Sequence, residues 1–565
     1  MSAFRTTARL GRALTLGLLA LCFSHGIARA DAEAPLDREA YMREVHDNLI
    51  RFGEVYRSLA FRYVDQIDPE AAMTAAIHGL MDELDPYTDY YLEDEAQELD
   101  DMSRGQYGGI GTEVGLRGSD KRITIISPFE GSPSWKAGLL PGDEIVTVNG
   151  TAMAGKALND AVKLIKGPVG SEVILGIRRS GAKEVKDYRI TRQLINIQDV
   201  KLAQLVDPAT GTGYVRLVRF TGLAGENLAA AIDSLKRQGL KRLVLDLRGN
   251  PGGLLREAAA VSELFLAKGQ PIVDTRGRND EMIKAIVSER EPVFTGDLVV
   301  LIDPGSASAS EIVAGCLQDL DRAVLVGESS FGKGLVQSVV DLDKEAKVKL
   351  TTARYYLPSG RLIQRVDYFQ DNEVLNHVAD STLADTLFHT AKGREVISGR
   401  GVTPDVEVKA PRQPWLVLEL WRGAHFANYV ADRAAAGKLL DGPAGDAMLK
   451  DFRAYLDEKE FKYQPRGGNQ ADELKKILEE EKVGDEGAKA LEALLKSLGG
   501  ELDPQFLSHR EDIARMLDLE LVNHRQGPEA RAREALRQDP AYQKALELLV
   551  KGHGELERVL GSVDK

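Results

Sequence analysis

Residues 243–247 and 298–302 read Leu-Val-Leu-Asp-Leu and Leu-Val-Val-Leu-Ile, two short runs with almost no polar alternation. A strand wetted on one side alternates apolar and polar residues, whereas continuous aliphatic runs belong to strands covered by helices on both faces. Each run passes directly into a turn of small residues, Gly249-Asn250-Pro251-Gly252-Gly253 and Pro304-Gly305-Ser306-Ala307. Helical patterns over Leu228–Arg237, Leu254–Leu266 and Ser308–Leu320 alternate with these runs, and Tyr214–Phe220 and Ala323–Val326 read as further strands. Residues ~211–410 thus read as an α/β domain, with ligand chemistry expected where strands end and helices begin.

The flanks differ. Val45, Leu49, Phe52, Tyr56, Leu59 and Tyr63 mark one face of a helix, and Pro69 opens a second helix carrying Met73, Ile77, Leu80 and Leu84. Asp82–Asp101 holds ten acids in twenty residues and reads as a solvated connector. Over ~104–195, short β-type runs alternate with Gly/Pro turns around one helical segment, Leu158–Lys166. From about Gln413 to the end the chain is polar and helical, with no nameable motif chemistry. The expected organisation is 1–30 leader, 31–103 helical arm, 104–195 small β-rich domain, 196–410 α/β core and 411–565 helical extension.

Residues 1–30 read as a cleaved export signal. Arg5, Arg9 and Arg12 precede an apolar run from Ala13 to Phe23, and Ala28-Arg29-Ala30 supplies a small-x-small cleavage site. The run is shorter than the ~20 apolar residues a spanning helix needs. Loss of this basic segment takes the net charge from −14 to −18. So negative a surface disfavours nucleic acid and anionic membranes as partners. Cys22 would leave with the signal, so Cys316 would remain alone, with no intrachain disulfide and no cysteine-based metal cluster.

A serine at a strand-to-helix turn is exposed, and free N–H groups at the helix start can stabilise an oxyanion. It also needs a base. No histidine occurs between His78 and His377; His377 and His389 sit in no motif. Lys333, a lone cation in Ser330-Phe331-Gly332-Lys333-Gly334-Leu335, is the alternative base, because burial would favour its neutral form. If it lies in a strand, Lys333, Leu335 and Gln337 share a face, and Gln337 could orient the amine. From the residues alone Ser306, Ser308 and Ser310 are equivalent, and Ser308 with Glu311 is equally a capping box.

Two sets of motifs carry a family resemblance. Tyr107-Gly108-Gly109-Ile110-Gly111 and Ala137-Gly138-Leu139-Leu140-Pro141-Gly142-Asp143-Glu144-Ile145 resemble a PDZ domain, whose glycine loop presents backbone N–H groups to a peptide carboxylate. Gly109, Ile110 and Gly111 would be the peptide-binding residues. "DLRGNPGG", "GSASASEI", "SFGKGLVQ", "YYLPSGRLIQ" and "GVTPDVEV" resemble the carboxyl-terminal processing (tail-specific) serine proteases, in family order, over residues ~40–410. The resemblance implies a PDZ domain followed by a crotonase/ClpP-like α/β serine protease core with helical N- and C-terminal regions. It implies Ser308 as nucleophile, Lys333 as general base, Gln337 as its orienting partner, and Ala309 with Gly252 or Gly253 as oxyanion donors. No metal or other cofactor is implied. Lys166 is the position that would couple peptide binding to the active site.

The expected function is an exported, periplasmic serine endopeptidase acting on polypeptides with unstructured C-termini and processing or degrading cell-envelope proteins. An adaptor protein and a homo-oligomer built through the helical termini are the expected partners. The competing readings are a catalytically silent PDZ scaffold and a crotonase-like acyl-transfer enzyme.

Overall fold

The computed structural model describes residues 38–561, apart from 118–120, 180–181, 183, 279–282, 344–345, 369–384, 481–484 and 498–501. The export signal, Cys22 and His377 lie outside the described residues. The chain divides into two compact units, one ending at Leu80 and one beginning at Met81. In the first, the helix Arg38–Arg62 has no buried side chain, and Met42, Leu49, Phe52, Val55 and Leu59 all face solvent. Its Tyr56 hydroxyl donates to the Pro69 carbonyl at 2.7 Å, joining it to the start of the helix Pro69–Asp82.

In the second unit, an antiparallel sheet runs Thr112–Arg117, Arg122–Pro128, Glu144–Val148, Glu172–Arg178, Lys186–Thr191. The helix Leu158–Ile165 buries Ala161 and Ile165 with Ile125, Val148, Val173 and Leu175 of that sheet. Beside it, the two ends of this region pair as a separate antiparallel ribbon, Gln106–Gly109 with Gln193–Asn196.

The central sheet has the order Val200–Asp207, Thr212–Leu217, Arg242–Asp246, Asp297–Ile302, Val324–Gly327, Val406–Glu407. Its first pair is antiparallel and the rest parallel. The two aliphatic runs are its middle strands, and alternation sorts them between two cores. Leu243, Leu245, Val300 and Ile302 join the helices Ala224–Arg237, Leu255–Ser262 and Ala309–Asp319. Val244, Val299 and Leu301 turn to the opposite face, which Tyr542, Ala545, Leu548 and Leu549 of the helix Pro540–Lys551 cover. Each such buried aliphatic side chain contributes about 1.5–3 kcal/mol.

A second sheet, Asp89–Leu92, Ala346–Tyr356, Pro271–Gly277, Lys284–Val287, carries Leu335–Asp341 on the strand Ala346–Tyr356. Downstream, the helices Trp415–Arg422, His425–Ala435, Asp446–Glu458 and Arg510–Gln526 enclose their own core around Leu420, Phe426, Tyr429, Phe452 and Leu517.

The acidic stretch is not a solvated connector. It forms the strand Asp89–Leu92 and the helix Glu93–Arg104, and Asp85, Ala96 and Asp101 are buried. The buried acids are satisfied locally, Asp85 by the N–H groups of Tyr87 and Thr88 and Asp101 by the Gln97 amide at 2.9 Å. Most of the other acids stay at the surface, where cations face some of them. Lys163 lies 3.5 Å from Asp94 and Lys347 3.0 Å from Asp100, while Arg256 donates to the Ser103 carbonyl at 2.6 Å.

Candidate active site

The strand Asp297–Ile302 ends at Asp303, whose carboxylate accepts the N–H groups of Gly249 (2.8 Å) and Gly305 (2.9 Å) and so joins the two glycine turns. Within this turn the three serines separate. The Ser306 hydroxyl donates to the Leu247 carbonyl and the Ser310 hydroxyl to the Asn250 carbonyl, both at 2.9 Å, and both residues are fully buried. Ser308 is partly exposed and its hydroxyl makes no capping hydrogen bond. Its backbone has φ 55° and ψ −114°, a left-handed excursion that a side-chain-bearing residue adopts at a cost of about 1–3 kcal/mol. The hydroxyl is therefore held out of the helix cap at a sharp turn.

Glu311 is the residue around which the site is built. Its buried carboxylate accepts the N–H of Ser308 (2.8 Å), Gly332 (2.7 Å) and Lys333 (2.9 Å), and the Ser330 hydroxyl (2.5 Å). Burial pushes this carboxyl up to about 7 against the lowering effect of those donors. The Tyr355 hydroxyl lies against the backbone carbonyls of Ser308 (3.2 Å) and Lys333. One carboxylate and one phenol thus pin the main chains of Ser308 and Lys333 together. The sequence marked Glu311 only as a helix cap, and Tyr355 only as the first residue of the motif "YYLPSGRLIQ", with no role attached.

The side chains are less closely joined. Among the described residues, no hydrogen bond links the Lys333 amine to Ser308 or Gln337. The Lys333 Nζ sits 3.9 Å from the centroid of the Tyr87 ring. Burial, helped by the Lys349 charge, lowers the amine to about 8, against the pull of Asp85 and Glu311. Gln337 instead donates to Thr351 Oγ1 at 3.3 Å. The expected shared face of Lys333, Leu335 and Gln337 does not form. Lys333 precedes the strand, which begins at Leu335, and a bulge between Val336 and Gln337 breaks the alternation.

The two glycines also differ. Gly252 donates its N–H to Asn250 Oδ1 at 2.9 Å, which removes it as an oxyanion donor in this arrangement. A Cβ on Gly252 would lie 2.6 Å from the Ala307 carbonyl oxygen, 2.8 Å from the Ala309 nitrogen and 2.9 Å from Ser308 Cβ. Bare backbone is required there because the two turns touch. Gly253 follows, linked to Phe220 by a β-bridge, and Ala309 opens the helix. Asn250, named in the sequence only as a member of the turn and its motif, positions this turn, since its Nδ2 also donates to the Leu217 carbonyl at 2.9 Å. Asp246 and Arg248 form an internal pair, with Arg248 also reaching Asp539 at 2.6 Å. His389 is exposed on a separate hairpin with Glu395–Ile397. Cys316 is buried, its thiol pushed up to about 12 by burial. Among the described residues, no group of His, Cys, Asp or Glu side chains could hold a metal ion.

In the smaller domain, Gly109 closes a strand, Ile110 is buried, and Gly111 (φ 70°) turns the chain into Thr112–Arg117. The Ser132 and Ser134 hydroxyls hold the Gly111 carbonyl at 2.9 and 2.7 Å. The strand Thr112–Arg117 is an edge of its sheet beside the helix Leu158–Ile165, the arrangement in which an added peptide strand can pair. Lys166, at the end of that helix, has its amine 3.9 Å from both Glu98 and Asp101 and 5.1 Å from the Tyr107 ring centroid. It meets the acidic helix rather than Ser308 or Lys333.

Comparison with known proteins gives three family matches: "Peptidase family S41" over residues 211–374, "PDZ domain" over 124–179, and "Probable PDZ-protease, C-terminal helical domain" over 419–549. The chain is 40% identical over 341 residues to the carboxy-terminal-processing protease of Bartonella bacilliformis, covering 58% of this chain and 75% of the relative. It is 36% identical over 337 residues to the carboxy-terminal processing protease CtpB of Bacillus subtilis, covering 60% and 68%. Among solved structures, a photosystem II D1 C-terminal processing protease shares 29% identity at a TM-score of 0.34, covering 62% of this chain and 85% of the other.

Proposed function

The chain belongs to peptidase family S41, the carboxy-terminal processing serine proteases with a PDZ domain, and from that premise we propose a Ser308/Lys333 dyad as its catalytic machinery. The observation that carries this reading is Glu311, whose carboxylate takes the N–H of both residues and so fixes an uncapped, strained serine beside a half-buried lysine. The neutral Lys333 amine takes the Ser308 proton as Oγ attacks the scissile carbonyl. The N–H groups of Ala309 and Gly253 receive the oxyanion. The ammonium then protonates the leaving amine, and water, activated by the same lysine, releases the acyl group. Gln337 orients the amine once it leaves its present bond to Thr351.

Substrate polypeptides enter by an unstructured C-terminus, paired to the edge strand Thr112–Arg117 with the carboxylate on Gly109, Ile110 and Gly111. The buried Ile110 and the partly exposed Val114 and Leu158 favour apolar terminal residues. Lys166 acts as the coupling residue, through the acidic helix it contacts. We place the protein in the periplasm, released by cleavage after Ala30, acting on cell-envelope proteins. The exposed apolar face of Arg38–Arg62 supports a homo-oligomer through the helical termini, and an adaptor is a further partner. Among the described residues, no helix is long and apolar enough to cross a membrane.

The test is casein cleavage by mature protein, Ser308→Ala and Lys333→Ala. Both variants are expected to lose activity at least ~1,000-fold while retaining the fold by circular dichroism. Cleavage surviving Ser308→Ala would overturn the assignment of the nucleophile.

A further inference from the structure

The turn Asp85-Pro86-Tyr87-Thr88 is built rigidly although it lies in an acidic stretch. The buried Asp85 carboxylate accepts the N–H of Tyr87 (2.8 Å), the N–H of Thr88 (2.9 Å) and the Thr88 hydroxyl (2.8 Å). The same hydroxyl accepts the Thr351 N–H at 3.1 Å, which fastens the turn to the second sheet. Tyr87 is clamped at its tip as well, its hydroxyl 3.2 Å from that of Tyr368 and the two rings edge to face at 5.6 Å. The outcome of this bracing is a ring face presented to the Lys333 Nζ at 3.9 Å. The other charged groups facing that amine are Lys349 from the strand Ala346–Tyr356, Asp85 from the turn and Glu311 from the helix start.

We propose that Tyr87 is a positioning residue for the general base, its ring holding the charged Lys333 amine away from Ser308 until the amine gives up its proton. The inference rests on the dyad reading above. The π face attracts an ammonium through its quadrupole, and the attraction is strongest where water is excluded. A neutral amine loses that attraction and turns its lone pair toward a hydroxyl donor instead. The ring therefore selects by charge. The ammonium is parked; after its proton passes to water, the amine is free to accept from Ser308 Oγ.

Two measurements separate this from the dyad reading. In a Ser308→Ala background, acetylation of Lys333 by acetic anhydride, followed by mass spectrometry across pH, titrates the amine without any turnover. In otherwise intact protein, the acid limb of kcat/KM on casein reports the base at work. Tyr87→Leu, which keeps an apolar cover but removes the ring, is expected to lower the amine titration by roughly half a pH unit to one unit. The acid limb should move by the same amount, making the variant several-fold faster than wild type well below the limb. Tyr87→Phe, which keeps the ring and loses the Tyr368 contact, should leave both where they are. Tyr87→Met reads the same quantity if Tyr87→Leu does not fold. An unshifted amine in Tyr87→Leu, or an equal shift in Tyr87→Phe, would overturn the proposal. An amine that shifts while the activity limb stays fixed would instead overturn Lys333 as the base.

Discussion

Hydrogen bonding divides three chemically identical serines. Ser306 and Ser310 spend their hydroxyls on the carbonyls of the neighbouring turn, while Ser308 holds its own outside the helix cap. The group it is proposed to use, Lys333, is shifted by burial from 10.5 to about 8, and Glu311, which fixes both backbones, from 4.5 to about 7. The two titrations have the same sign for activity. Catalysis needs the lysine without its proton and the carboxyl ionised to accept three backbone N–H groups, so acid removes both. The kcat/KM profile should rise about tenfold per pH unit between 7 and 8 and level off above, with a steeper fall below about 7 as the second proton binds. A stopped assay from pH 5.5 to 9.5 in constant ionic strength measures it, and a flat profile would contradict a lysine base. At this scale the sequence disclosed Ser308 and Lys333 as candidates because glycine and small residues isolate them. Tyr87 was invisible, an aromatic among acids far upstream whose role exists only through a fold-level contact.

At the level of elements, the two glycine turns matter more than either alone. Alanine at Gly252, where φ is 94°, would set its Cβ against the Ala307 oxygen and the Ala309 nitrogen at 2.6 and 2.8 Å. The turns must part, and the proposed oxyanion donors part with them. Gly252→Ala should lower kcat/KM at least ~100-fold, the range lost when an oxyanion donor is removed. Its affinity for a C-terminal peptide, read by fluorescence anisotropy, should be unchanged because the groove belongs to another sheet. The strand-to-helix turns were legible from residue size and order. The Val336/Gln337 bulge was not, because an extra residue in a ladder leaves no mark on a strict period of two. The helix Glu93–Arg104 escaped for a related reason. Ten acids in twenty residues read as solvated, and most of them are; what the sequence hides is that Ala96 and Asp101 turn inward, on a helix faced by Lys163, Lys166 and Lys347 from elements far along the chain.

Across the whole molecule, the central sheet is covered on one face by helices that alternate with its strands and on the other by helices from the far end of the chain. The first half of that arrangement is written in local alternation. The second half is not, since Pro540–Lys551 shows only an amphipathic face with no partner named in its neighbourhood. Leu548 is 2% exposed and packs among Val244, Val299 and Val326. Leu548→Ala should cost about 2–5 kcal/mol of unfolding free energy by guanidinium titration, as much as a core leucine of the α/β layer itself. A loss under ~1 kcal/mol would mean that the helix is an attachment and not part of the core. The Arg248–Asp539 bridge, at 2.6 Å, ties the same terminal helix to the turn that precedes Gly252. This arrangement has a consequence for the order of synthesis. The strand Arg242–Asp246 leaves the ribosome some 300 residues before its second cover. Until Pro540–Lys551 has been made, the face bearing Val244, Val299 and Leu301 has no cover, and the sheet that carries the proposed Ser308 turn is open on that side. A chain cut short before Pro540 is therefore expected to leave that apolar face bare and the proposed catalytic turn without half of its support.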